Sequence, residues 1–301
     1  MYGYMHPEYA QSLADFGTPR LLPRCGGWIL ERQIPGFLYC DAMGSYPMFC
    51  CQNWSQLQTD LENLRDRLVT LSLVTDPFGD YEPADLHRCF KDVVIPFKEH
   101  FLTDLHRPVN DIVCAHHRKY ASKVLRNVHV EKCSEPTRFL DEWVALYDNL
   151  IDRHDIKNIK AFSRTAFARQ LNVPGMAMFR AVHEGTAVGA AMLFEQGDVV
   201  YGHLLAVSER GYKLGAAYAL YWSQIEYYSG KARWLDFGGV PGVTSESTDG
   251  LSWFKRGWST DTRTAYFCGR IFDHKKYAEI VKVRGSSTAD YFPPYRKGEF
   301  K

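Results

Sequence analysis

The run from residue 177 to residue 228 limits the fold more than any other part of the chain. Residues 177–183 and 186–194 are rich in apolar and strand-favouring side chains, and they flank Glu184-Gly185, a two-residue hairpin signal. Residues 199–206 follow after Gln196-Gly197-Asp198, which predicts a three-stranded antiparallel meander. Residues 212–228 come next and are apolar almost all round, as in a buried helix. Beyond them, 234–237 reads as a short buried strand, 251–256 as a short helix, 264–271 as a long strand and 277–283 as a closing helix. A meander that feeds a helix and then a neighbouring strand is an α+β plan. It differs from the regular βαβ alternation of a nucleotide-binding fold.

The preceding residues carry a coarser version of the same alternation. Residues 27–32 and 36–41 read as strands around a Pro35-Gly36 turn, with the segment from Asp41 to Pro47 as loop. Trp54, Leu57, Leu61, Leu64 and Leu68 recur at intervals of three and four and predict one amphipathic helix. A strand over 69–74 ends at Asp76-Pro77-Phe78-Gly79, a helix covers 83–90, and 93–101 is a further strand. After a basic, helix-permissive stretch at 116–127 and a strand at 128–131, a helix presents Phe139, Leu140, Trp143, Tyr147 and Leu150 on one face. Ser134 is its expected N-cap, with Pro136 in the first turn. A second helix over 163–171 starts at a Ser and stops before Pro174-Gly175. The 301 residues are ample for two domains.

Composition narrows the function classes. A formal net charge of +1 lacks the broad cationic surface that coats duplex DNA. No run of about 18 apolar residues offers a membrane span, and Met1-Tyr2-Gly3-Tyr4-Met5-His6 lacks the basic-then-apolar pattern of a signal peptide. The eight cysteines form no paired Cys-x-x-Cys pattern, so a reduced, cytoplasmic protein is expected. Cys114-Ala115-His116-His117 has no partners at metal-binding spacing and reads as the start of a solvated helix, with no metal expected. Eight cysteines and eleven histidines allow too many pairings for sequence to single out a Cys–His dyad.

Two segments carry the most chemistry: Leu235-Asp236-Phe237-Gly238-Gly239-Val240-Pro241-Gly242, and Asp249-Gly250-Leu251-Ser252-Trp253-Phe254-Lys255-Arg256-Gly257-Trp258. Together they resemble the Fem-type peptidoglycan aminoacyltransferases and their acyltransferase relatives in the GNAT superfamily. That pattern is a strand ending in a glycine-rich turn, a variable loop, then Gly-Leu, two residues and Phe-Lys-basic-Gly-aromatic. Tyr266-Phe267-Cys268-Gly269-Arg270-Ile271 is similar to the closing strand of that family. The resemblance implies two GNAT-like domains in tandem with mixed, mostly antiparallel sheets flanked by helices. A degenerate domain would cover 1–113, an acyltransferase domain 114–285, and a tail 286–301.

It also implies transfer of an aminoacyl or acyl group to an amine on a peptide or small molecule. The co-substrate would be aminoacyl-tRNA or acyl-CoA, with no tightly bound cofactor. CoA-using relatives carry Arg/Gln-x-x-Gly-x-Gly/Ala where this chain has Arg210-Gly211-Tyr212-Lys213-Leu214-Gly215-Ala216-Ala217. Tyr212 stands at the expected Arg or Gln, which shifts the expected donor toward aminoacyl-tRNA. A catalytically silent module that binds tRNA or a phosphorylated ligand is the contrasting class.

Residue roles follow with their alternatives. Lys255 is implied to contact acceptor phosphate or a developing oxyanion, and Arg256 to help hold donor phosphate; otherwise the two are a solvated helix face. Asp236 either handles a proton or caps the glycine-rich turn. His203 is a general base for the incoming amine or a buried, satisfied histidine. Arg210 and Lys213, with Gly215, form a candidate phosphate site at a helix start. Tyr201, Gly238, Gly239, Phe254 and Trp258 are expected to line the substrate cleft. The loops at 41–47 and 76–79 are structural turns or the edge of an acceptor cleft.

Overall fold

The computed structural model describes residues 1–240, 250–285 and 291–299. Pro241, Gly242 and Asp249 of the motif segments lie outside the described residues, as do 286–290 and 300–301 of the expected tail. In chain order the strands are β1 (Thr18–Leu22), β2 (Gly27–Gln33), β3 (Cys40–Gly44), β4 (Leu68–Val74), β5 (Val93–Asp104), β6 (His129–Lys132), β7 (Met176–His183), β8 (Thr186–Gln196), β9 (Val199–Val207), β10 (Trp234–Asp236) and β11 (Asp261–Ile271). The α-helices are α1 (Pro7–Gln11), α2 (Leu57–Glu62), α3 (Pro83–Cys89), α4 (Val109–Ile112), α5 (Ala115–Val124), α6 (Leu140–His154), α7 (Arg164–Gln170), α8 (Glu209–Leu214), α9 (Ala216–Tyr228), α10 (Gly250–Arg256) and α11 (His274–Arg284). None of the described helices is long and apolar enough to cross a membrane.

The chain groups into two compact units that no single cut separates. The larger holds Met1–Gly3, Lys98–Ile156 and Phe162–Arg263; the smaller holds Tyr4–Phe97, Lys157–Ala161 and Thr264–Lys301. Against a division at 113/114, residues 98–113 group with the later part of the chain and residues from 264 onward with the earlier part. The chain changes unit inside β5 and again inside β11.

In the larger unit the strand order is β5-β10-β9-β8-β7-β6. All neighbours are antiparallel except β9 and β10. The β7–β8 turn has Glu184 at φ 51 and Gly185 at φ 75, the two positive values that a type I′ hairpin requires. α9 packs against β7 and β8 and buries Ala216, Ala219, Leu220, Tyr221, Ile225 and Tyr228. These side chains join Leu193, Val200, Leu235 and Trp258 in one core.

The smaller unit orders its strands β1-β2-β3-β4-β11, again antiparallel except for β3 and β4. Its core gathers Ile29, Phe49, Leu57, Leu61, Leu71 and Leu86. A buried ionic cluster ties the C-terminal residues to β2 and β3. Asp41, 0% exposed, accepts two bonds of 2.9 Å from the Arg296 guanidinium, and Arg32 bonds Glu299 at 2.7 Å. Each unit taken alone therefore runs antiparallel strands, a helical connection, a parallel strand and an antiparallel neighbour beyond it. The architecture is α+β, mostly antiparallel with flanking helices, as the sequence predicts.

Several local expectations change. The 212–228 helix is two helices, because Gly215 takes φ 77 between α8 and α9 and Tyr212 is left exposed. The helix from Trp54 to Leu68 is shorter. A 3-10 turn over Trp54–Gln56 leads into α2, Leu64 follows the helix and Leu68 opens β4, yet all five stripe residues are buried. Residues 40–44, read partly as loop, form β3, since their backbone pairs with both β2 and β4. Ser134 does not cap a helix. Glu135 precedes the 3-10 turn Pro136–Phe139, and no side-chain cap bond forms there. Ser163 does cap α7, accepting from the Ala166 N–H at 3.1 Å.

Candidate active site

Asp236 ends β10, opposite Leu102 of β5 and beside Tyr201 of β9. Its carboxylate is buried, with 1% of the residue exposed, and both oxygens have partners. Oδ1 accepts the Gly238 N–H at 2.7 Å, the Asx-type bond that turns the chain after the strand. Oδ2 lies 2.8 Å from Nδ1 of His100. His100 is two residues from Leu102 along β5, the diagonal position across an antiparallel pair, so strand geometry brings it to the aspartate. An ionised carboxylate only accepts, so Nδ1 carries the hydrogen and the Nε2 lone pair is left for a proton. Among the described residues Nε2 has no hydrogen-bond partner.

The glycine-rich turn is fixed by a lysine on either side. Lys255 of α10, 7% exposed, donates from Nζ to Gly238 O at 3.1 Å and to Gly239 O at 2.6 Å. Lys98 donates from Nζ to Val240 O at 2.9 Å. Gly238 needs its lack of Cβ for φ 71, whereas a Cβ on Gly239 would lie 3.1 Å from the Lys98 side chain. Asp236, His100, the Gly238-Gly239 turn and Lys255 thus form one constellation with an orienting carboxylate, an imidazole and a buried ammonium group.

The other expected site residues are distributed differently. Phe254 is half-buried and stacks edge-on against Tyr218 and Tyr221, while Arg256 is exposed on the same helix. Trp258 is a core residue and not a cleft residue, being 0% exposed with its carbonyl accepting from Thr103. Tyr201 is also buried, at the last register position that β9 shares with β10. His203 is the extra residue of a β-bulge, because Leu204 pairs with Met192 and Gly202 with Leu193. Its ring packs at a tilt against Phe162 and Phe194, and Nε2 lies 3.2 Å from Gln170 Oε1. Burial pushes its pKa down to about 3, so it is a neutral imidazole at pH 7 and a weak base.

The candidate phosphate residues form a separate group. Ser208 caps α8 through the Gly211 N–H at 3.1 Å, and a Cβ on Gly211 would fall 1.9 Å from Val188 O. That glycine answers a close backbone approach within the fold. Arg210 pairs with Glu184 at 2.5 Å and Lys213 with Glu209 at 2.7 Å, both at exposed positions where such pairs are weak. A Cβ on Gly215 would meet Val124 Cγ2 at 3.3 Å, so one apolar side chain packs beside this half-buried glycine at the start of α9.

Sequence reasoning missed His100 and Lys98. Both lie in a segment legible only as a strand, and nothing local to it reports that Asp236 and Val240 are its neighbours.

Comparison with known proteins agrees with this architecture. Residues 115–256 match the family profile described as acetyltransferase (GNAT) domain, which supports acyl transfer as the class of chemistry. No curated protein sequence matches the chain. Among solved structures it is similar to FemX, at TM-score 0.66 and 14% identity, covering 91% of this chain and 93% of that one. It is also similar to the C-terminal domain of a putative lysylphosphatidylglycerol synthetase from Agrobacterium fabrum, at TM-score 0.64 and 14% identity, covering 91% and 90%. The structure of L-PGS from Bacillus licheniformis matches at TM-score 0.59 and 14% identity, covering 94% and 98%. The chain has a Fem-like GNAT fold, with the acetyltransferase signature running from residue 115 to residue 256.

Proposed function

We propose that this protein transfers an aminoacyl or acyl group to an amine, with His100 as the proton acceptor. The observation that carries this is the 2.8 Å contact between His100 Nδ1 and Asp236 Oδ2, beside a glycine-rich turn held by Lys255. Aminolysis of an activated ester or thioester requires an amine without its extra proton, an aligned carbonyl and positive charge near the developing oxyanion. His100 Nε2 takes the proton from the attacking amine, and Asp236 orients the ring and stabilises its charged form. Lys255 positions the turn and supplies positive charge, while Asp236 serves both roles considered for it, turn cap and proton relay support.

Aminoacyl-tRNA is the favoured donor. The segment from Ser208 to Ala216 carries Tyr212 where a CoA-binding loop has Arg or Gln, and the Ser208 hydroxyl already takes the Gly211 N–H. Arg210 and Lys213 remain the cations for a donor phosphate, since exposed pairs with Glu184 and Glu209 exchange readily for one. The smaller unit is read as a degenerate second GNAT-like domain, because it repeats the meander, helical connection and parallel strand of the larger one.

The test is a transfer assay with labelled aminoacyl-tRNAs and acyl-CoAs over a panel of amines. His100→Asn is expected to lower the rate about 10²–10⁴-fold while leaving donor binding intact. Lys255→Ala is expected to lower it by a similar order. A His100→Asn protein at full rate overturns the role given to that residue. Donor binding with no transfer to any amine replaces the enzyme with a binding module.

A further inference from the structure

Cys114 immediately precedes α5, a ten-residue helix, and its side chain makes no cap bond to the first turn. It is the one exposed thiol among the eight, Cys40 being half-buried and the other six buried. Its Sγ lies 3.0 Å from Nδ1 of His117, and Nε2 of the same ring lies 3.0 Å from the carbonyl oxygen of Phe254. A carbonyl accepts only, so the ring hydrogen sits on Nε2, and Nδ1 presents its lone pair to the thiol. Burial lowers the His117 pKa, so the ring is neutral at pH 7 with its Nδ1 lone pair open to the thiol hydrogen, and the imidazolium it forms on accepting that proton is short-lived. The pair is anchored by the Cys114 N–H on Gly257 O at 3.0 Å. An exposed aromatic shelf adjoins it: His116 stacks on Tyr120 at 4.5 Å and meets Trp253 at 5.2 Å. Nothing in the proposed transfer chemistry uses this group.

We propose that Cys114 and His117 form a nucleophilic dyad that takes a low-molecular-weight disulfide, making Cys114 a site of reversible mixed-disulfide formation. The thiol proton moves to His117 Nδ1, and Sγ attacks one sulfur of the incoming disulfide. The old S–S bond breaks, and the departing thiolate takes the proton back from the imidazolium. Cys114 is oxidised to the disulfide level and half of the reagent leaves as a thiol, so no further oxidant is needed. The buried thiols are poor competitors because access and burial both count against them; burial pushes Cys89, Cys133 and Cys268 up from the ordinary thiol range.

The experiment exposes the reduced, full-length chain to oxidised glutathione at pH 7 and maps adducts over time by mass spectrometry. The dyad requires Cys114 to be the fast site, modified about tenfold or more faster than in the urea-denatured chain. It also requires His117→Asn to slow it by about tenfold or more, His116→Asn to leave the rate near that of the parent, and dithiothreitol to release the adduct. Equal rates in native and denatured chains overturn the proposal, as does undiminished reactivity in a folded His117→Asn protein. Should His117→Asn fail to fold, the native-against-denatured comparison decides alone.

Discussion

A Cβ on residue 257 would fall 2.4 Å from the His117 ring. The glycine of the Phe-Lys-Arg-Gly-Trp motif therefore serves packing: it lets α10 close on an imidazole that bonds Phe254 O. Gly257→Ala is expected to destabilise the fold by about 1–3 kcal/mol, read from denaturant unfolding, because ring or helix must shift. His203 contributes at the same scale. Its pKa falls from 6.5 in the open chain to about 3 when folded, so protonation favours the unfolded state. The stability it confers is complete above pH 6.5 and is lost as pH falls toward 3. Between pH 7 and pH 5 the melting temperature of His203→Gln should drop less than that of the parent, by roughly 2 °C or more; equal drops refute the assignment. The residues of the proposed site were unevenly legible. Asp236 and Lys255 stood out because a glycine-rich turn and a basic motif flank them. His100 did not, since what marks it is a diagonal contact between strands more than 130 residues apart in sequence.

Periodicity locates the helices and strands well where one face is buried and poorly where a single backbone torsion intervenes. The meander of β7, β8 and β9 was readable from alternation and two turn signals, and its hairpin geometry agrees. The break between α8 and α9 was hidden, because glycine at 215 is compatible with both a continuous helix and a left-handed stop until the packing of Val124 is known. α9 is the element on which the larger core depends. Leu220 is 0% exposed within it, so Leu220→Ala should cost about 2–5 kcal/mol, with loss of the cooperative unfolding transition as the extreme outcome. A cost under about 1 kcal/mol would mean that α9 repacks freely.

At the scale of the whole chain, the order of elements was legible and their partition was not. Hydrophobic patterns report which face is buried, but they do not say that β11 completes the strands begun by β1 or that β5 lies beside β10. The C-terminal residues are held by chemistry of the same long range. Asp41 is fully buried against Arg296, so Arg296→Gln should destabilise the smaller unit by about 3 kcal/mol or more, measured by thermal unfolding. An unchanged melting curve would show that Arg32, whose Nε lies 3.5 Å from Asp41 Oδ1, alone suffices.

The way the chain changes unit inside β5 and β11 also sets a timetable for synthesis. As the polypeptide leaves the ribosome, the early strands β1 to β4 emerge first but lack their last neighbour until residue 271 has been made. The larger unit has all its parts once Arg263 is out. The unit whose strands are translated first is therefore the one whose parts are complete last, and β4 waits without its β11 neighbour through most of elongation.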